Sequence, residues 1–423
     1  MGNCLELLLQ SDRPSGTSRW WWSSPAPPPS QWSNLSPEVA TNVLHHLLAG
    51  GADHVRFAAV CTQWRAMAQQ ASLPAPLPLL ILPDGTAYSL VDGKPFPFPR
   101  CAGYAGICGD WLVFSRDAED GDAQLVLVDP FSDTTMTLPA LSRVRFRHAS
   151  DDEPSFASME MIVRKVICCS PPHLIAALVR LGDHCTGIAV CQAGAASWWS
   201  VYLDERFSGF DDYTFHNGIL YAVDYPGGDL FSIDIGVDDS TGDPWVSQIQ
   251  QVIGSTTTDG TTFRGDDYLG EMLYLVEFCA GELLMVRRII NGQWVQLQNG
   301  AVHDAAIRRN EFQVFKADFE WSRWTEARTI GDDQVLFLRQ RCSKSVCVSQ
   351  CEMMHGDRIF FLENVDEDQT WYGKESPSCC SVYDMREGFA TMALPADVSW
   401  RPGTVAAWLF PKDQSGAVAM VEG

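Results

Sequence analysis

Between Leu35 and Ala68 apolar side chains recur every three or four positions, whereas from Leu77 onward they alternate with polar ones. The first pattern predicts helices. Ser36 stands where a helix cap would, and Pro37 takes the first helical site, where its missing N–H costs nothing. At about 100° per residue, Val39, Ala40, Val43, Leu44, Leu47 and Leu48 fall on one half of a helix over 37–48; Glu38, Thr41, Asn42, His45 and His46 fall on the other. Gly50-Gly51 ends it. A second helix is expected over 53–70 with Asp53 as its cap. It carries a broad apolar face of Phe57, Val60, Cys61, Trp64, Met67 and Ala68 and a narrower one of Val55, Ala59 and Ala66, so it should be sandwiched. A folded unit below about 40 residues seldom buries enough surface to hold itself. Its cover is either the domain that follows or a separate protein.

Beyond Leu77 the stretches "CGDWLVFSRD" near 108, "HNGILYAVDY" near 216, "YLGEMLYLVE" near 268, "IGDDQVLFLRQ" near 330 and "MHGDRIFFLEN" near 354 share one design. Each sets a Gly or Gly-Asp turn before a run of β-branched and aromatic residues, and several are followed by a second alternating run. The wide gap between the first two is filled by "VICCS", "LIAALV" and "GIAVCQ", strands for one further copy. A repeat of about 40 to 50 residues with four strands each is the spacing of a propeller. The fold class is therefore mainly β: a six- or seven-bladed β-propeller over 77–412, preceded by a small all-α module over 32–75. Sandwich domains in tandem would need a boundary linker, and none is visible. Pairing of "LPLLIL" at 77–82 with "TVAAWLF" at 404–410 would close the ring and remove its open edges.

Composition narrows the function. Of the 423 residues, 53 are acidic and 30 basic, a net charge of -23, which repels nucleic acid and anionic membrane surfaces. The pairs Arg287-Arg288 and Arg308-Arg309 are the densest basic clusters, expected as solvated loop or strand-end charges. The 14 cysteines, about 3% of the chain, are too sparse for a disulfide scaffold, and no secretory leader is visible. Free thiols in the cytoplasm or nucleus are expected, with no membrane-spanning run. Residues 1–31, with their Pro/Ser-rich stretch and Trp20-Trp21-Trp22, are expected as a disordered segment, and 413–423 as a tail. At the start, Gly2 and Cys4 could carry a myristoyl and a palmitoyl chain, although Glu6 stands where that signal prefers Ser or Thr; a loose terminus is the alternative.

The stretch "WSNLSPEV" followed by "ADHVRFAAVCTQWRAMA" resembles the F-box, through Leu35-x-Pro37-Glu38 and Val60-Cys61-x-x-Trp64-Arg65. The rest of the chain is similar to plant F-box proteins with a C-terminal β-propeller of the KIB type, in "LPLLILPDGTAYSL", "GDWLVFSR", "LVDPFS", "FQVFKADFEWSRWTE", "DRIFFLEN", "SVYDMREG" and "AWLFP". The likeness covers about residues 32 to 412. One departure is Ser36, where members of that family usually carry Pro. The resemblance implies a substrate-recognition subunit of a cullin-type (SCF) ubiquitin ligase. Leu35, Pro37, Val39, Leu44, Leu48, Val60 and Trp64 would bind a Skp-type adaptor, and through it a cullin, while the propeller binds a target protein. A scaffold whose F-box has decayed is the alternative.

No G-x-S-x-G, phosphate loop or H-E-x-x-H occurs, which agrees with a non-catalytic subunit without cofactor. The best metal candidate, Cys342, Cys347 and Cys351 with Cys379-Cys380 nearby, lacks paired zinc spacing and reads as buried thiols. The acidic runs Asp151-Asp152-Glu153, Asp211-Asp212 and Asp366-Glu367-Asp368 spell no calcium loop and are expected in solvated loops.

Overall fold

The structure, a computed structural model, describes residues 35–47, 57, 60–70 and, with internal breaks, most of 77–410. The expectations for residues 1–31 and 413–423 lie outside the described residues.

The first helix, α1, spans Pro37–Leu47. The Ser36 hydroxyl accepts the Val39 N–H at 3.4 Å and the Ser36 carbonyl accepts that of Ala40 at 2.9 Å, so capping does start the helix. The second, α2, departs from expectation. Within the expected span of 53–70 Phe57 is helical, the chain bends at Val60, and α2 covers Thr62–Gln70; the Cys61 thiol accepts the Trp64 N–H at 3.4 Å. Asp53 lies outside the described residues. Ala40 and Leu44 from α1 meet Phe57 and Met67 in a small core flanked by Leu35, Val43 and Trp64; the Phe57 and Trp64 rings stack 4.4 Å apart.

The remainder is a six-bladed β-propeller, the lower of the two expected counts. Blade 1 holds Leu79–Ile81, Thr86–Ser89 and Pro95–Pro97, and is completed by Ala407–Leu409. Blade 2 is built from Gly106–Cys108, Trp111–Asp117, Ala123–Val128 and Thr135–Ala140. Blade 3 contains the three strands foreseen for the interrupted copy, Met161–Cys169, Leu174–Leu181 and Cys185–Gln192, then Trp198–Tyr202. Val144–Phe146 widens it by pairing parallel to Trp198–Tyr202. Blade 4 comprises Phe210–His216, Ile219–Asp224, Leu230–Val237 and Pro244–Ile253. Its first hairpin turns at Asn217-Gly218, both with positive φ (49 and 82), the backbone that Asn-Gly accepts at least cost.

Blade 5 comprises Tyr268–Glu277, Leu283–Gly292, Arg308–Asp318 and Arg323–Ala327, with a short hairpin of Val295–Gln296 and Val302–His303 inserted. Gly270, expected in a turn, lies inside the first of these strands at a shift of register. Blade 6 is irregular. Lys344–Cys347 pairs antiparallel with Gln334–Leu338, which pairs parallel with Arg358–Leu362, and Cys380–Asp384 and Phe389–Met392 follow.

The foreseen closure is present, with Leu79 opposite Leu409, Leu80 opposite Trp408 and Ile81 opposite Ala407. The Tyr104 hydroxyl lies against the carbonyl oxygens of both Ile81 and Val405. The apolar core is divided into layers between blades. Blade 2 meets blade 3 through Leu127 and Trp198, blade 3 meets blade 4 through Val190 and Leu220, and blade 4 meets blade 5 through Val223 and Leu275. Blade 5 meets blade 6 through Val286 and Phe361, and a large layer around Leu80, Phe337 and Trp408 joins blades 6, 1 and 2. Each fully buried side chain of this kind stabilises by about 1.5–3 kcal/mol, so the ring is held by apolar contacts all the way round.

Candidate functional site

The sequence points to the helical module as a binding surface, and its residues divide into three groups. Leu44 is fully buried and serves the module's own core. Leu35 and Trp64 are half-buried beside that core, Trp64 held by its stack on Phe57. Pro37, Val39 and Val60 face outward, Val39 with 48% and Val60 with 59% of its surface exposed. Leu48 lies outside the described residues, as do Gly2 and Cys4. The apolar half of α1 is thus split: Ala40 and Leu44, four apart, turn inward, while Val39 and Val43 form a second stripe beside them. Among the described residues, none from the propeller belongs to the core of the two helices. Val39 and Val60 are therefore apolar surface on a unit too small to spare it.

Within the ring, the most enclosed polar group joins blades 3, 4 and 5. Lys165 and Asp212 are both buried; the lysine donates to Asp212 Oδ1 at 2.5 Å and to the Tyr213 carbonyl at 2.6 Å. Asp212 Oδ2 accepts the Leu275 N–H at 2.9 Å, and Asp211 Oδ2 accepts that of Leu273 at 2.9 Å. The Tyr213 hydroxyl donates to the Lys165 carbonyl and accepts the Leu178 N–H. Shifts of register between Val163 and Lys165 and between Phe210 and Asp212 place these side chains, since a bulge re-aims the residues beside it. Burial raises both aspartates, Asp211 to about 7 with the like charges of Asp212 and Glu271 adding to it. Lys165 and Asp212 are committed to each other and to backbone groups, so this pair fastens neighbouring blades.

This network corrects the expectation that Asp211-Asp212 sits in a solvated loop. Arg287 and Arg288, expected at the surface, are also buried: Arg288 Nε donates to Asn310 Oδ1 at 2.9 Å and its guanidinium lies 4.5 Å from the Phe361 ring centroid. The signal in the sequence was the setting of both pairs, charges inside aromatic or β-branched runs where loops would carry Gly, Pro or Ser. Of the thiols weighed as metal ligands, Cys342 and Cys380 are buried, Cys379 is half-buried and Cys347 is exposed at its strand end; Cys351 lies outside the described residues. Among the described residues no group of three or more His, Cys, Asp or Glu could hold a metal ion.

Comparison with known proteins gives a family for this geometry. Residues 80–384 match the family described as KIB1-4 beta-propeller. The putative F-box protein At5g55150 of Arabidopsis thaliana is 23% identical over 406 residues, 91% of this chain and 98% of that protein. The F-box protein At2g26160 of the same plant is 22% identical over 360 residues, 79% of this chain and 96% of that one. The F-box protein SKIP23, also from Arabidopsis thaliana, is 22% identical over 418 residues and covers 88% and 94%.

Proposed function

Because the chain belongs to the KIB1-4 β-propeller family of plant F-box proteins, we propose that it is the substrate-recognition subunit of a cullin-type ubiquitin ligase. The helices bind a Skp-type adaptor, which joins the chain to the cullin, and the propeller binds a target protein. The observation that carries this reading is the exposure of Val39 and Val60 on a helical module whose small core, among the described residues, includes none from the propeller. An adaptor that covered these side chains would give the module the apolar burial it lacks alone. Pro37 and the outer edges of Leu35 and Trp64 would complete the contact; Leu44 supports it from beneath.

The chain itself is non-catalytic. Its effect is one of effective concentration: a target held beside the ubiquitin-loaded enzyme meets it far more often than one free in solution. No helix among the described residues is long and apolar enough to cross a membrane, and the proposed place of action is cytoplasm or nucleus. Acylation at Gly2 and Cys4 would add a membrane address that mass spectrometry of the N-terminal peptide reads directly.

Co-purification of the full chain with a Skp-type adaptor tests the reading. Wild type should retain the adaptor, and Val39→Glu with Val60→Glu should lose it while the propeller melts unchanged. An unmodified chain that fails to hold any Skp-type adaptor leaves the second reading, a propeller scaffold with a degenerate F-box.

A further inference from the structure

Three large apolar side chains are exposed together where blades 4 and 5 meet. Ile219, with 36% of its surface exposed, follows the Asn217-Gly218 turn; Phe319 at 43% and Trp321 at 68% occupy the turn that joins Arg308–Asp318 to Arg323–Ala327. The Phe319 ring stacks on His216 at 6.4 Å and leans on Tyr221 at 5.4 Å, which brings the two turns together. Asp318 Oδ1 accepts the Trp321 N–H at 3.1 Å, and Trp324 Nε1 donates to the Gly228 carbonyl at 2.8 Å, so the aromatic turn is fixed before anything binds.

The charge around these rings has one sign left over. Arg323 is held by Asp318 at 3.3 Å and Lys316 by Glu282 at 2.7 Å. The Glu277 carboxylate, 55% exposed, meets the His216 ring at 3.4 Å, and Glu320 is exposed; among the described residues neither has a lysine or arginine partner. Among the described residues of the propeller, the other large exposed apolar side chains do not gather in this way: Val237 ends a strand of blade 4, and Phe389 and Met392 lie along the outer strand of blade 6.

We propose that the surface formed by Ile219, Phe319 and Trp321 is where the propeller takes its target, and that the target offers an aromatic or aliphatic anchor flanked by lysine or arginine. This rests on the ligase reading given above. Exposed, preorganised aromatic side chains are the residues that carry most binding energy in protein interfaces, and the surplus Glu277 and Glu320 select a basic flank and reject an acidic one. The placement suits the role. Glu277 beside His216, Cys279 beside Ser345, and Cys342 beside the carbonyls of Gly109 and Trp408 put the corresponding turns of blades 4, 5, 6 and 2 on one face of the ring. Trp408 stands near the end of the closing strand and opposite Leu80, so the described part of the first blade begins, at Leu77, on the face that carries the aromatic turn.

The test selects short random-sequence peptides displayed on phage against the full chain. Recovered peptides should combine Lys or Arg with an aromatic or aliphatic residue and should bind more weakly as salt is added. Affinity should fall about tenfold or more with Trp321→Ala and again with Glu320→Lys, at unchanged melting temperature. Peptides that bind Trp321→Ala as tightly as wild type, peptides of acidic character, or a selection without binders would overturn the proposal. Adaptor co-purification on the same proteins separates the two readings: Trp321→Ala keeps the adaptor, and a chain that binds the peptides without any adaptor loses the ligase assignment but keeps this surface.

Discussion

Asp211 and Asp212 are neighbours in sequence with opposite circumstances. Asp212 is fully enclosed but faces Lys165, whereas Asp211 has one backbone N–H and three acidic neighbours, Asp212, Glu271 and Asp224. Part of the Asp211 residue reaches solvent, yet burial pushes its carboxyl from 3.8 up to about 7. A carboxyl raised in the folded state keeps a proton that the unfolded chain has already lost. Its contribution to stability therefore falls as pH rises through the window from about 4 to about 7 and is constant above it. Asp211→Asn keeps an acceptor for the Leu273 N–H and removes the charge. In thermal melts the variant should match wild type near pH 4 and exceed it by several degrees at pH 8; a constant difference across that range would show that the carboxyl titrates normally. These two residues also mark where reading the sequence fails. A pair of acids normally belongs in solvent, and only the bulge and the lysine 47 positions earlier make the interior tolerable.

Elements were legible where local chemistry and packing agree. Ser36 and Pro37 announce α1, and Asn217-Gly218 and Gly109 announce hairpins, because caps and turns act within a few residues of themselves. The break at Val60 was not legible, since the run from Asp53 to Gln70 keeps helical periodicity through it, with Phe57 helical before the bend and Thr62–Gln70 after it. Gly270 misled in the same way: a glycine signals either a turn or a bulge, and its partners in the neighbouring strand decide which. Periodicity also grouped Val39 with Leu44, although one faces solvent and the other the module's core. That difference is measurable. Leu44→Ala should destabilise the helical module by about 2–5 kcal/mol, read as faster amide exchange in α1 and α2 with the propeller's exchange unaltered. Equal protection of α1 in the variant and wild type would mean that Leu44 is not the centre of that core.

At the scale of the molecule, the repeat of turn and strand gave the architecture, but the sixth blade and the blade count needed the structure. The parallel pairing in blade 6 and the added strand Val144–Phe146 of blade 3 follow from contacts between distant segments that no repeat announces. The ring's weakest logical point is its seam. Trp408 is fully buried there, its Nε1 donates to the Leu338 carbonyl at 3.3 Å, and its ring meets Phe337 edge-on at 5.1 Å. Trp408→Ala should cost about 3–5 kcal/mol in denaturant unfolding of the propeller. A loss below 1 kcal/mol, on the order of a surface change, would show that the seam does not need it. Blade 1 also has a meaning for synthesis on the ribosome. Leu79–Ile81 can pair with Thr86–Ser89 at once but finds its second partner strand only when Ala407–Leu409 has been made. While the residues between them are made, the nascent chain displays one open apolar edge on blade 1, which chaperones must shield, and a stop codon a few residues short of 407 would leave that edge open for good.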